Sequence, residues 1–274
     1  KLNKEELEEQ LRDIGHEFLT ISFYKYARIA NPHLFRDHLF LMWSKLEVVG
    51  RTYIASEGIN AQIAVPTKNI SLFREELYQI DFLNGIRLNF AVDESEAEFP
   101  FLKLKIKVRN KILADGLNDE TFDVTKKGKH LNAEEFNTLT DDPETLLIDF
   151  RNHYESEVGY FEGAILPDVD TFRDSLPKIE KEILKGNEHK NIVMYCTGGI
   201  RCEKASAWFK HRGFPNVHQL EGGIIKYARD VKEQGIQNKF KGKNFVFDER
   251  RGERITEEIV SVCHLCGTPA DTHT

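Results

Sequence analysis

The chain has 274 residues, a formal net charge of −7 at pH 7, 40% hydrophobic residues and 30% charged residues. This composition is ordinary for a globular protein, and the length suffices for two domains with their own cores. No apolar run approaches the roughly 20 residues of a membrane span, and the charged residues 1–10 are unlike a secretion signal. We therefore expect a cytoplasmic protein with no membrane partner. The sequence indicates no oligomeric state.

Residues 1–98 predict an N-terminal domain whose elements follow the order βαββαβ. Alternating apolar residues predict strands, and apolar residues that recur every three to four positions predict helices. The predicted strands are 18–26, 51–55, 59–65 and 86–92, and the predicted helices are 32–49 and 70–80. This order indicates a ferredoxin-like (acylphosphatase-like) α+β sandwich with helices on one face of an antiparallel sheet. The other face of the sheet is either a binding platform or an inert surface.

Residues 99–124 contain a basic strand followed by a linker. Apolar and basic residues alternate from Phe101 to Leu113, so an extended strand would carry all the cations of this segment on one face. We call these five residues the cation row: Lys103, Lys105, Lys107, Arg109 and Lys111. Like charges this close repel each other unless a polyanion binds them, which predicts contact with RNA. The alternative is a solvated edge strand on which lysine blocks aggregation.

Residues 125–238 contain a cysteine at the end of an apolar strand. Strand 191–195 leads into Cys196, and a helix that ends at Gly213 follows. The loop between them comprises Thr197, Gly198, Gly199, Ile200 and Arg201. N–H groups at a helix N-terminus and a nearby arginine both favour a thiolate, so this pattern predicts a nucleophilic Cys196. The alternative is a small buried residue at a strand end.

The spacing Cys-x4-Arg resembles the active-site loop of the rhodanese superfamily of sulfurtransferases. Cysteine phosphatases on the same scaffold carry a loop one residue longer, which is wide enough for a phosphate, so sulfur chemistry is favoured here. Segments 145–152, 159–165 and 217–224 resemble other rhodanese strands and turns in the same order, and Asn132 and Glu135 have capping-box spacing. Alternating strands and helices predict an α/β domain with a parallel sheet, which binds ligands at the carboxyl ends of its strands.

Three further cysteines are candidates for redox or metal chemistry. Cys202 is either a small residue packed against the sheet or a resolving thiol that forms a disulfide with an oxidised Cys196. The C-terminal tail, residues 239–274, carries Cys263 and Cys266. This Cys-x2-Cys pair is half of a zinc site and needs two more ligands, from His264, His273 or another chain.

The segment from Cys196 to Ala205, behind a sandwich that contains residues 56–60 (Ser-Glu-Gly-Ile-Asn), resembles the oxygen-dependent tRNA uridine hydroxylase family. The resemblance covers nearly the whole chain. It implies formation of 5-hydroxyuridine at the wobble position of tRNA, with molecular oxygen as co-substrate, the anticodon loop as the RNA partner and Cys196 as the essential cysteine. No organic cofactor is evident. Ala270 stands where the family commonly has a further cysteine.

Two other functions stay open at this point. A rhodanese-type sulfurtransferase would carry a persulfide on Cys196, with the loop N–H groups and Arg201 stabilising the anion. A non-catalytic RNA-binding or redox-sensing adaptor would use Cys196 only to report oxidants. Dependence of the activity on oxygen separates the hydroxylase from the sulfurtransferase.

Overall fold

The computed structural model describes residues 3–15, 17–92 and 99–271. The chain forms two compact units. The first comprises Lys1–Leu113 with Phe247–Arg251, and the second comprises Ala114–Val246 with Gly252–Thr274. The predicted N-terminal domain and the basic strand after it therefore belong to one unit.

The first unit contains a five-stranded sheet in the order β4-β1-β3-β2-β5. Its strands are β1 (Phe18–Tyr26), β2 (Val49–Ala55), β3 (Gly58–Pro66), β4 (Asn89–Phe90) and β5 (Leu104–Val108). The pairs of β1 with β3, β1 with β4 and β2 with β3 are antiparallel, as predicted. The basic strand, which the sequence did not assign to any sheet, joins this sheet at its edge as β5 and pairs parallel with β2.

Two predicted strands are shorter in the structure because hydrogen bonds turn the chain out of the sheet. The predicted strand 86–92 is reduced to β4, since the Ile86 N–H closes a turn on the Leu83 carbonyl. The basic strand from Phe101 to Leu113 is reduced to β5. Beyond it, the Ile112 N–H donates to the Glu57 carboxylate at 2.8 Å instead of continuing the ladder.

Helices of the first unit are α1 (Lys4–Ile14), α2 (Pro32–Lys45) and α3 (Ile70–Tyr78). The predicted helix 32–49 ends earlier, at Lys45, because Glu47 has a positive φ of 57° and the Val48 N–H returns to the Trp43 carbonyl. Trp43 is fully buried against Phe23 of β1 and Phe73 of α3. One face of the sheet therefore carries the main core of this unit.

The second unit contains a parallel sheet in the order β6-β10-β9-β7. Its strands are β6 (Lys129–Leu131), β7 (Thr145–Asp149), β9 (Asn191–Tyr195) and β10 (Val217–Leu220). A second sheet has the order β12-β11-β8 and comprises β8 (Gly159–Phe161), β11 (Phe240–Phe245) and β12 (Gly252–Arg254). Part of the predicted C-terminal tail therefore pairs with the predicted α/β domain.

Helices of the second unit are α4 (Ala133–Thr140), α5 (His153–Ser156), α6 (Phe172–Ile179), α7 (Ile200–His211) and α8 (Gly223–Gln234). The capping box predicted from Asn132 and Glu135 is present at the start of α4. Phe161 of β8 joins the two sheets of this unit through an edge-to-face contact with Tyr195 of β9, and it makes further edge-to-face contacts with Tyr227 of α8 and Phe240 of β11. Within the described residues, no helix is both long enough and apolar enough to cross a membrane.

Replacement of Gly58 by alanine should destabilise the first unit more than replacement of Gly85. Both glycines have a positive φ, but a methyl group at position 58 would collide with the Lys25 carbonyl of β1, whereas position 85 faces open space. Overpacking of this kind costs about 1–3 kcal/mol in addition to the backbone strain of each variant. Urea denaturation measures the difference, and equal losses would contradict the close approach of β1 and β3 at Gly58.

Candidate active site

The loop after β9 surrounds the sulfur of Cys196 with hydrogen-bond donors. Cys196 follows the last residue of β9, and α7 begins four residues later at Ile200. Gly199 has a φ of 103°, which a residue with a side chain rarely adopts, and its N–H donates to Cys196 Sγ at 3.2 Å. The strand, the tight loop and the helix predicted around Cys196 are all present.

Cys196 is fully buried, yet its thiol is more acidic than a free cysteine. Burial alone would raise its pKa. The Cys202 thiol donates a hydrogen bond to the sulfur, Arg201 adds its positive charge, and the N–H groups of Cys202 and Gly199 donate as well, which together lower the pKa to about 6. Cys196 is therefore mostly a thiolate at neutral pH.

Cys202 is buried and supports the thiolate of Cys196 directly. Burial raises the pKa of the Cys202 thiol well above its ordinary value, and the hydrogen bond to Cys196 raises it further. Cys202 is thus a protonated donor beside an anionic sulfur. The structure places the two sulfurs in contact, and both cysteines are unbridged.

The start of α8 fixes the backbone of the loop. The Ile224 N–H donates to the Cys196 carbonyl at 3.0 Å, and the Ile225 N–H donates to the Thr197 carbonyl at 3.2 Å. Gly223 has a positive φ, and a side chain there would lie 2.5 Å from both carbonyl oxygens. Residues 222–224 (Gly-Gly-Ile), which end the predicted rhodanese segment 217–224, therefore hold Cys196 in place.

Glu155 is a site residue that the sequence analysis missed. Its fully buried carboxylate accepts two hydrogen bonds from Arg201, one of them from Nη2 at 2.9 Å, and its Oε2 lies 3.3 Å from Thr197 Oγ1. Burial raises the pKa of Glu155, but the charge and hydrogen bonds of Arg201 outweigh burial and lower it. The available signal was the spacing of Asn152 and Glu155, since the Asn152 N–H donates to Glu155 at 3.0 Å as in a capping box.

A second buried ion pair lies beside Glu155. Arg151 Nη2 donates to Asp149 Oδ2 at 2.6 Å and to the Gly159 carbonyl at 2.6 Å. Asp149 is the last residue of β7 and pairs with Tyr195, which precedes Cys196. Burial lowers the pKa of Arg151, but the charge and hydrogen bonds of Asp149, together with Tyr195 and Glu155, outweigh burial and raise it. The ion pair thus fixes the strand ends that carry the site.

Comparison with protein families agrees with the two units. Residues 18–112 match the UPF0176 acylphosphatase like domain, residues 132–230 match the rhodanese-like domain, and residues 241–274 match the rhodanese C-terminal family. Among solved structures, a rhodanese-like domain from Anabaena sp. is 17% identical and covers 41% of this chain and 78% of its own, with a TM-score of 0.33.

Curated relatives match the chain over both units. A protein of Photorhabdus laumondii is 52% identical, and the match covers 100% of this chain and 77% of the relative. A protein of Escherichia coli (strain SE11) is 55% identical, with 93% of this chain and 72% of the relative covered. Both are named tRNA uridine(34) hydroxylase.

The chain belongs to the tRNA uridine(34) hydroxylase family. In this member of the family, the thiolate loop lies in the second unit and the cation row in the first. Lys103, Lys105, Lys107 and Arg109 are exposed, and Lys111 is half-buried beyond the end of β5.

The C-terminal cysteines of this family member do not form a complete metal site among the described residues. Cys263 and Cys266 lie in a turn closed by the Gly267 N–H on the Cys263 carbonyl. Hydrogen bonds from Thr268 lower the pKa of the exposed Cys266. The larger effect comes from the Thr268 hydroxyl and the smaller one from its backbone N–H. Across residues 3–15, 17–92 and 99–271, no group of three or more His, Cys, Asp or Glu side chains could hold a metal ion. Two thiols alone do not fit a four-ligand zinc ion; His273 lies outside the described residues.

Replacing Cys202 by alanine should raise the pKa of Cys196 above about 6, because the thiol donor is lost. Replacing it by serine keeps a donor and should preserve a low pKa. The Cys196 sulfur should be charged above its pKa and neutral below it, whereas the unfolded thiol titrates near about 8.5. Thiolate ultraviolet absorbance as a function of pH, with Cys263 and Cys266 replaced by serine, measures this. An alanine variant that titrates like the parent would contradict the role of Cys202.

Replacing Glu155 by glutamine should destabilise the protein strongly, because it leaves the buried Arg201 charge without its partner. Loss of one partner of a buried ion pair costs about 3–5 kcal/mol. Glu157 is the matched control, since it lies two residues away and is exposed, and its replacement by glutamine should cost less than about 0.5 kcal/mol. Urea denaturation compares the two variants. If they lose equal stability, the Glu155–Arg201 pair does not stabilise the site.

Proposed function

We propose that this chain hydroxylates uridine 34 of tRNA at C5, giving 5-hydroxyuridine, with molecular oxygen as co-substrate and the Cys196 thiolate as the reactive group. The observation that carries the proposal is a cysteine with a pKa of about 6, held by the loop of a chain from this family. C5 of uracil is not reactive toward oxygen by itself. A nucleophile that adds to the ring can make it so.

In the first route, binding of the substrate shifts the loop enough to bring the buried Cys196 sulfur against the uracil ring, and the sulfur forms a bond with C6. The electron pair of the C5=C6 double bond then gives C5 carbanion character, and C5 bonds to molecular oxygen. Loss of the C5 proton and departure of the thiolate restore the double bond and leave a hydroperoxide on C5. Two thiols reduce this hydroperoxide to the hydroxyl group and water, and are themselves oxidised to a disulfide.

Cys202 is a candidate for one of those two thiols. It already donates a hydrogen bond to Cys196, so the pair holds the two electrons that the last step consumes and one of its two protons, and solvent supplies the other proton. The contact also supports the resolving role considered for Cys202 from the sequence. A free thiol reductant would return the disulfide to two thiols for the next turnover.

In the second route, Cys196 is first oxidised to a sulfenic acid, which transfers its hydroxyl group to C5 and returns to the thiol. The oxidation uses molecular oxygen and a two-electron thiol reductant, and the second oxygen atom leaves as water. The two routes differ in what is bound to Cys196 during turnover. A uridine adduct supports the first route, and an added oxygen atom supports the second.

The exposed cations of the first unit support a tRNA substrate. The four exposed cations of the cation row stand in a chain with a net charge of −7, so their positive charge is local. An anticodon loop presents unstacked bases, as chemistry on a single uracil ring requires. A tRNA substrate places the proposed reaction in the cytoplasm.

A sulfurtransferase is the second candidate, because residues 132–230 match the rhodanese-like domain. In that reaction Cys196 would accept a sulfane sulfur, and the loop N–H groups would stabilise the persulfide anion. No oxygen is consumed. Activity that persists without oxygen would favour this candidate over the hydroxylase.

Replacement of Cys196 by serine should abolish hydroxylation and leave tRNA binding unchanged, since the hydroxyl group of serine is not ionised at neutral pH. Purified tRNA lacking the modification is incubated with the protein, a thiol reductant and ¹⁸O₂, and its nucleosides are analysed by mass spectrometry. The parent should incorporate one ¹⁸O atom into uridine 34. Replacement of the exposed Cys266 by serine is the matched control and should leave turnover unchanged. Incorporation of oxygen from water instead, or turnover by the Cys196 variant, would overturn the proposal.

A further inference from the structure

One end of the second face of the sheet in the first unit is covered, because Val49 and Ala64 pack there with Leu11 of α1 and with Phe99 and Phe101. The rest of this face carries an ordered array of polar and aromatic side chains. Alternate residues of β1, β2, β3 and β5 lie on this face, opposite the face that packs on α2 and α3. Strand register places eight of them in two adjacent rows across the sheet. The first row is Tyr24, Asn60, Tyr53 and Lys107, and the second row is Ser22, Gln62, Arg51 and Lys105.

We propose that this face, the sheet platform, binds single-stranded RNA by stacking bases on Tyr24 and Tyr53 while the cations beside them contact phosphates. The proposal rests on the proposed function, since the RNA would be the anticodon loop of the substrate. It assigns to tyrosines of the first unit a role in RNA recognition that the cation row alone does not supply.

The positions of the two tyrosines suit two separate bases. Asn60 lies between them in the row, and strands are about 4.8 Å apart, so the rings lie roughly 10 Å apart across the sheet. Tyr24 also contacts Tyr26 with ring centroids 6.1 Å apart. Both rings are half-buried. Two aromatic rings at this separation on a sheet surface match the way single-stranded RNA binds to sheets, with one base on each ring.

Arg109 extends the stacking surface at Tyr53. Its guanidinium lies 5.7 Å from the centre of the Tyr53 ring. Guanidinium planes stack on bases as aromatic rings do, so a base can lie on Arg109 or take its place on the ring. Arg109 is exposed, which leaves one side of its plane accessible.

The charge of the sheet platform fits a polyanion such as RNA. None of the eight residues in the two rows is acidic, and three of them, Arg51, Lys105 and Lys107, are basic. Lys105 and Lys107 are exposed at the edge of the sheet, next to the rings. A strand of RNA that stacks its bases on the tyrosines would bring its phosphates toward this edge. The arrangement favours unpaired RNA, because the bases of a duplex present no free planes.

The test compares the double variants Tyr24→Ala with Tyr53→Ala and Tyr24→Phe with Tyr53→Phe. The probe is a fluorescently labelled RNA hairpin with a uridine-containing single-stranded loop, and fluorescence anisotropy measures its Kd. The alanine pair should raise Kd at least about tenfold, because each stacked base contributes strongly to binding. The phenylalanine pair keeps both rings and should bind like the parent. Equal binding by parent and alanine pair would overturn the inference.

A third pair tests the cations. Lys105→Gln with Lys107→Gln should reduce the slope of log Kd against log salt by about 1.4, as expected for two phosphate contacts on a single strand. Lys45→Gln with Lys68→Gln makes the same change of net charge at exposed positions outside the two rows and should leave the slope unchanged. Equal slopes for the two glutamine pairs would contradict phosphate contact at this edge.

Crosslinking keeps the inference testable if the alanine pair does not fold. The unchanged protein is irradiated with a hairpin that carries 5-bromouridine in its loop, and the crosslinked peptides are sequenced. Crosslinks to peptides with Tyr24 or Tyr53 support the sheet platform, and crosslinks confined to other peptides overturn it. A dimer that the alanine pair dissociates, with RNA binding unchanged, would instead identify the face as a contact between two copies of the chain.

Failure of this inference differs from failure of the proposed function. Tyrosine-dependent RNA binding without any 5-hydroxyuridine formation would leave the sheet platform standing and remove the hydroxylase. If the Tyr24→Ala, Tyr53→Ala variant forms 5-hydroxyuridine with unchanged KM and Kd, the hydroxylase stands and the sheet platform is removed.

Discussion

The site depends on keeping a negative charge on a sulfur that has no exposed surface. Burial opposes that charge, so the protein supplies several stabilising groups close to the sulfur. The positive group among them, Arg201, is itself buried and needs Glu155, and Glu155 lies beside Arg151, which needs Asp149. Five buried groups thus alternate in sign from the thiolate to Asp149. Removing any one would leave its neighbours with an uncompensated charge in a medium of low polarity.

The parallel sheet explains why these charges can be close together. Asp149 ends β7 and Cys196 follows β9. Because the two strands are parallel and pair with Asp149 opposite Tyr195, both residues lie at the carboxyl ends of the strands, on the same side of the sheet. The segments after each strand then carry the partners, Arg151 and Glu155 on one side and Arg201 on the other. Open α/β sheets commonly bind ligands at the carboxyl ends of their strands, because the loops that follow the strands meet there.

Sequence reasoning could predict much of this because the decisive elements are local. The apolar strand, the glycine loop and the helix around Cys196 are contiguous, as is the capping box at Asn132. Contacts between distant segments could not be predicted. Glu155 meets Arg201 46 positions away in sequence, and Ile224 reaches the Cys196 carbonyl from another helix. The parallel pairing of β5 was missed for a similar reason, since alternation predicts a strand but not its neighbour or direction.

The full burial of Cys196 has a practical consequence for labelling studies. An alkylating reagent added to the native protein meets the exposed Cys266 first, and the pKa of that thiol is also lowered. Modification stoichiometry would then describe the turn near the C-terminus, while the loop sulfur stayed unlabelled despite being more acidic than a free cysteine. An inhibitor screen based on thiol capture would rank compounds by the wrong residue unless Cys266 had first been removed.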